Sequence, residues 1–425
     1  MTILGSAPSA VDPRPAQAGR AGGVLHRAPV RPERASPPPA APVGYGAVWA
    51  LLVVNTLAFN GVSILGFPHA AGQVITMGAL AGALLLVVVR NRRLLIRPSL
   101  FMTLVSVLAL VAAASSARME PGPGALLRAA RYLVVVACLW LLTPLWRNPT
   151  ALLRHHLRTS IGVLGLVAVG IVASGGRSLH GDQGRLVGAI WPMPPPQVAQ
   201  FAAVLAGLAG TAWMTGMLTG RTAALTAVPA LFLLLSTHTR TAMAGLVLGL
   251  ALAAGSALLA SRRAANFLVC VLAIAAVAAT AAGGFVMHWL QRGESTQDLA
   301  NLSGRQIVWG VLLTQPRSTA DRFVGTGLSD KSFGGLSIDS TWLSVYWEQG
   351  LIGLALVAAI FAVLVLGVLS ARPSPGRTVA VFLTGYLLMA SWTEVGLGDA
   401  DTYLLLAFLA AACMDHPWAP DGDPS

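Results

Sequence analysis

HAAGQVITMGALAGALLLVVV, His69 to Val89, runs without a single charge and ends on RNRRLLIR, Arg90 to Arg97. A run of that length spans the roughly 30 Å hydrocarbon core of a bilayer as a helix. The arginines at its end hold that end on the cytoplasmic side, because short basic loops are retained inside. The pattern recurs: Gly44 to Pro68, Pro98 to Ala117, Trp191 to Gly220 and Thr241 to Ser261 are also free of charge. With 55% hydrophobic and 10% charged residues and a mean hydropathy of +0.71, the chain is far from a water-soluble globule, in which about 25% of residues are charged.

The sequence therefore predicts an all-α, polytopic integral membrane protein. Spans are expected near 46–67, 69–89, 98–116, 126–146, 159–175, 196–219, 222–239, 241–260, 265–287, 342–370, 377–393 and 402–415. Twelve spans put both termini in the cytoplasm, with the N-terminal tail and the Arg90–Arg97 and Arg147–Arg158 turns inside. Residues 1–43, rich in Pro, Ala and Arg, are expected to be a disordered cytoplasmic tail without a cleavable signal peptide. The transmembrane domain covers 44–415, and 416–425 form a second short tail. The net charge of +12 follows from this topology, not from nucleic-acid binding. Cys138, Cys270 and Cys413 fall inside spans and read as small core residues, not as disulfide or metal ligands.

One soluble element stands out, the outward loop at 288–341, too long for a simple connector. Its Leu302–Leu313 segment alternates like an amphipathic helix. Ile307, Trp309, Val311 and Leu312 would pack on the membrane face of the protein while Arg305 and Gln306 point elsewhere. No zinc-ligand spacing, phosphate-cradling glycine loop or nucleophile elbow is present. Arg128, Arg131, Arg185, Arg240 and Arg305 break the positive-inside trend by lying outside, and each offers a planar, permanently charged fork suited to a phosphate or pyrophosphate. Snorkelling to lipid phosphates is the plain alternative.

DSTWLSVYWEQGLIGL, Asp339 to Leu354, brings two carboxylates to the start of a long apolar span. Ionisable groups at such a place are expensive and usually functional. Thr341, Val345, Glu348 and Ile352 share one helical face, predicted to look into the bundle. Helix capping by Asp339 and interhelical hydrogen bonding by Glu348 are the structural alternatives. Trp191, Trp342, Tyr346 and Trp347 read as an interfacial aromatic belt. His238, at a span end beside Arg240, is a weak candidate base and reads first as interfacial. Gly325 and Gly327 read as a tight turn, with anion-binding amides as a secondary use.

Four blocks together resemble the O-antigen ligase and O-antigen polymerase (Wzy-type) superfamily: GRLVGAIWPMPPPQVAQFAAV (Gly184–Val204), STHTRTAMAGLVLGL (Ser236–Leu250), SGRQIVW followed by FVGTGLSD (within Ser303–Asp330), and DSTWLSVYWEQGLIGL. The resemblance implies a GT-C-like glycosyltransferase that uses no metal, nucleotide or other cofactor. It would take a glycan from a lipid-linked donor, undecaprenyl pyrophosphate, to a glycan or other hydroxyl acceptor on the outer face of a bacterial plasma membrane. Ligases of the family place a His near the start of the final block, where this chain has Asp339 and Ser340, so the resemblance leans toward chain extension or a divergent transferase over lipid A ligation. It assigns Arg185, Arg240 and Arg305 to the pyrophosphate, with Arg128 and Arg131 as helpers, and Asp339 or Glu348 to the acceptor hydroxyl. The partners expected are lipid-linked donor, acceptor and membrane lipids, with no nucleic acid. A secondary transporter or lipid-linked glycan flippase is the competing class. It would show similar halves and broken helices, and no half-to-half similarity is visible. A non-catalytic scaffold is a third class, in which these charges could be neutralised without effect.

Overall fold

The structure, a computed structural model, describes residues 44–59, 63–118, 123–182, 184–258, 261–267, 269, 305–329, 331–333 and 336–414. Expectations for the terminal tails, for Cys270 and for most of the ninth span and the loop after it fall outside those residues. The described chain is overwhelmingly helical. Its helices are α1 (Tyr45–Thr56), α2 (His69–Arg90), α3 (Leu100–Ala117), α4 (Pro123–Leu142), α5 (Pro149–Ala173), α6 (Pro195–Met214), α7 (Gly220–Ser236) and α8 (Arg240–Ala257), then α9 (Arg305–Thr314), α10 (Thr319–Val324), α11 (Thr341–Ser370), α12 (Pro375–Thr393) and α13 (Thr402–Met414). A two-stranded antiparallel hairpin, β1 (Ser332–Phe333) and β2 (Leu336–Ser337), precedes α11.

Among the described residues, seven helices are long and apolar enough to cross a membrane. Their outer surfaces, with that of α7, carry bare Val74, Leu85, Leu110, Val172, Leu225 and Leu369, an arrangement stable only where hydrocarbon replaces water. α13 is the reverse case. It has only 13 residues, yet nearly all are buried, and it packs against α1, α5, α11 and α12 at the centre of the bundle. Apolar on every side, it serves as the core of the core. α8 and α12 approach closely through Gly245 and Gly249, where an added Cβ would stand 2.9 Å from the Tyr386 ring and 2.8 Å from the Phe382 carbonyl.

Three expectations need correction. The Arg147–Arg158 turn is mostly helix: Asn148 caps α5 by accepting from the Ala151 N–H at 3.1 Å, Pro149 takes the first turn, and Arg154 and Arg158 ride exposed on the helix. Arginine has good helix propensity and a long apolar stem, so its charge does not end a span. The first span is short, because α1 stops at Thr56, and its exposed carbonyls find other donors. Arg131 donates to the Asn55 carbonyl, and Gln197 donates to that of Thr56 at 3.0 Å.

The third correction concerns α11, which is broken at Gly350 (φ 67°, ψ −163°). Thr341, Val345 and Glu348 are buried on the expected face, but the break turns the rest of the helix and leaves Ile352 42% exposed. The broken helix is also a feature that the sequence did not suggest.

Candidate functional site

The starts of α8, α9 and α11 and the end of α12 supply one cluster of charge. In α9, Arg305, Val308 and Leu312 lie three and four residues apart, so they share a face. Val308 and Leu312 are buried with Ile338 beneath the site. Ile307 and Val311, expected to pack on the membrane face of the protein, are 63% and 51% exposed, and Arg305, expected to point elsewhere, shares the face of the buried Val308 and Leu312.

Arg305 Nε donates to Asp339 Oδ2 at 3.1 Å, and the two side chains keep 24% and 35% exposure. The other carboxylate oxygen, Oδ1, accepts from the Ser337 hydroxyl. Asp339 is thus an acceptor held from two sides just before α11, whose N-cap is Ser340. Arg185 is fixed by donating from Nε to the Thr237 carbonyl and from Nη2 to Thr239 Oγ1, both at 3.0 Å. That places it over the α7–α8 turn, within electrostatic reach of Arg240, the first residue of α8, and of Arg305. Three of the five arginines singled out from sequence are therefore neighbours.

Glu394 completes this cluster and was not anticipated. It comes directly after α12, and its backbone carbonyl accepts from Thr341 Oγ1 at 2.8 Å, which ties it to the start of α11. Burial pushes its carboxyl up to about 7; Asp339 adds to the shift, while Arg305 and Arg185 oppose it. A carboxyl that titrates near neutrality can take and return a proton under physiological conditions. The only trace in the sequence is that Glu394, Asp399 and Asp401 fall in one short segment between α12 and α13, which does not show what surrounds Glu394.

Asp399 and Asp401 belong to a second cluster. Lys331 Nζ stands 3.5 Å from Asp399 Oδ2. Burial opposes charge on both, but their mutual attraction, helped by Arg131 and Arg128 at Asp399, holds Asp399 below and Lys331 above their ordinary values. Asp401, where burial prevails over Lys331, is pushed up to about 6. Arg128 and Arg131 act on this cluster, and Arg131 is further committed to Asn55 through its side-chain and backbone oxygens. The structure does not bring them to Arg185, Arg240 and Arg305.

Glu348 is 1% exposed, and its Oε1 accepts from the Ser329 N–H at 2.8 Å and hydroxyl at 3.0 Å. Its backbone carbonyl accepts from the Gly327 N–H at 2.8 Å. Gly325 (φ 84°) and Gly327 (φ 88°) make the tight turn expected of them, and a Cβ on Gly325 would strike the Glu348 backbone. Arg317 donates to the Tyr346 carbonyl at 3.2 Å and to that of Trp347 at 2.9 Å, and its guanidinium lies 4.9 and 4.8 Å from the two ring centroids. The carbonyls freed by the break at Gly350 are satisfied in this way. Trp191 and Trp342 act as packing groups, donating to the Ala58 carbonyl at 3.0 Å and to Ser391 Oγ at 3.1 Å.

No protein-family model and no curated protein matches this chain. Among the described residues no three His, Cys, Asp or Glu side chains gather closely enough to hold a metal ion. The chemistry that the first cluster can offer is fixed positive charge beside two carboxylates.

Proposed function

We propose that the protein is a glycosyltransferase of the O-antigen ligase and polymerase type, working at the outer face of a bacterial plasma membrane. The observation that carries this reading is the gathering of Arg185, Arg240 and Arg305 with Asp339 and Glu394. The acceptor hydroxyl oxygen forms a bond to the anomeric carbon of the donor glycan. The bond from that carbon to the pyrophosphate oxygen breaks, and undecaprenyl pyrophosphate departs with the electron pair. Arg185, Arg240 and Arg305 stabilise the charge that develops on the leaving group. The hydroxyl proton passes to a carboxylate, for which Glu394 is best tuned, while Asp339 holds Arg305 and orients the acceptor. Glu348 shapes the site from below by fixing the Gly325–Gly327 turn.

The broken α11 favours one second reading, a transporter or flippase for lipid-linked glycans, since discontinuous helices are common in such proteins. Deleting the gene and profiling lipid-linked glycans and surface polymer by mass spectrometry separates the two. The transferase predicts accumulation of an outward-facing lipid-linked donor, as single repeat units for a polymerase or as long chains for a ligase. An inward-facing pool would support the flippase, and an unchanged pool would sink the enzymatic reading.

A further inference from the structure

At the other end of the bundle lies a hollow of about 580 Å³, bordered by the end of α8, the start of α12 and the segment after Ser261. Arg262, Arg263 and Arg377 line it, together with the hydroxyl-bearing Ser256, Ser374 and Thr378, and no carboxylate among the described residues does. α8 starts at Arg240 in the outer cluster and ends beside this hollow. Its 18 residues at about 1.5 Å each set the two sites roughly 27 Å apart. α12 gives the same relation, from Arg377 in its first turn to Glu394 just past its end.

Three guanidinium groups around one cavity repel each other unless an anion joins them. Arg377 is held in place by its Nε donating to the Val368 carbonyl at 2.8 Å. Arg263 reaches toward the Trp213 carbonyl at 3.5 Å and is otherwise exposed. The N-terminus of α12, a 19-residue helix capped by Ser374, adds its positive end to the same basin. An adjoining hollow of about 380 Å³ shares Thr215, Gly216 and Pro375 with the first, and is lined by Leu153, Leu157, Met217 and Leu218, with Thr150 and Arg154 among them. A basic, hydroxyl-bearing basin that adjoins a hollow with a leucine- and methionine-rich wall fits a molecule with a charged head and a hydrocarbon body better than a free ion.

We infer that this basin binds the headgroup phosphate of an anionic phospholipid of the cytoplasmic leaflet, independently of the chemistry at the outer face. The site follows from the same physics that draws basic pockets between spans to anionic lipid.

The test uses the full chain purified in detergent, with phosphatidylglycerol and phosphatidylcholine as probes and native mass spectrometry as the readout. Phosphatidylglycerol should be retained preferentially, and the Arg262→Gln/Arg263→Gln variant should bind it roughly 30-fold more weakly, about fivefold per charge removed. A control, Arg158→Gln/Arg221→Gln, removes the same charge from exposed positions at the same end of the bundle and should keep the lipid. Should the double variant fold poorly, Arg263→Gln alone should still lose about fivefold. Equal retention of the two lipids, an unchanged affinity in the cavity variants or an equal loss in the control would overturn the inference. Displacement of the lipid by millimolar inorganic phosphate would also overturn it, in favour of a free-anion site.

Discussion

Glu394 is the residue on which the proposed chemistry turns. As a base it must be deprotonated, so with a carboxyl near 7 activity should rise with pH through neutrality and level off above it. Glu394→Gln should lower turnover by about 10² to 10⁴ and remove that rise, whereas the conservative Glu394→Asp should keep part of it. A pH profile of product formation decides between these outcomes. Lys331 and Asp399 make a different demand. Lys331→Met leaves Asp399 buried beside Asp401 without its cation, and the expected cost is about 3 kcal/mol, the low end for a broken buried pair because Lys331 keeps 21% side-chain exposure. Since the folded protein holds Asp399 below its ordinary 3.8, the pair's contribution is complete above that value and fades as the pH falls further. The melting temperatures of wild type and variant in detergent should therefore converge in acid. At this scale Arg185, Arg240, Arg305 and Asp339 were legible as charges out of place in an apolar chain. Glu394 was not, because nothing in its local sequence shows which helix ends surround it.

At the scale of elements, uncharged length located helices at all the expected spans that the structure describes, but it set their ends less well. Arg154 and Arg158 did not stop α5, because the Asn148 cap and Pro149 start it earlier than the charge pattern suggests. Broken α11 escaped sequence reading for a related reason: Gly350 looks like a tolerated helical glycine until its tertiary neighbour is known. A Cβ there would strike the backbone of Phe323 and Val324 in addition to demanding a positive φ. Gly350→Ala should cost about 3 kcal/mol, seen as a lower melting temperature. The same change at Gly78, where an added Cβ meets open space, should be neutral or slightly stabilising.

For the whole molecule, the account requires that the Arg305–Asp339 end faces outward and the arginine-rich end inward. Cysteines introduced at Asp321 should react with an impermeant maleimide in intact cells, and those at Arg92 or Arg372 only after permeabilisation. The buried Cys138 and Cys413 should stay silent in both. Arginine placement alone predicts this topology, whereas the meeting of α8, α9, α11 and α12 at one site depends on packing that no local pattern encodes. The most direct measurement is the release of undecaprenyl pyrophosphate by the purified protein in EDTA, with lipid-linked glycan extracted from gene-deleted cells as donor. Release without added metal or nucleotide, lost in Arg305→Ala and Glu394→Gln although both remain folded, is the expected result. No release, or full release by both variants, would contradict the account.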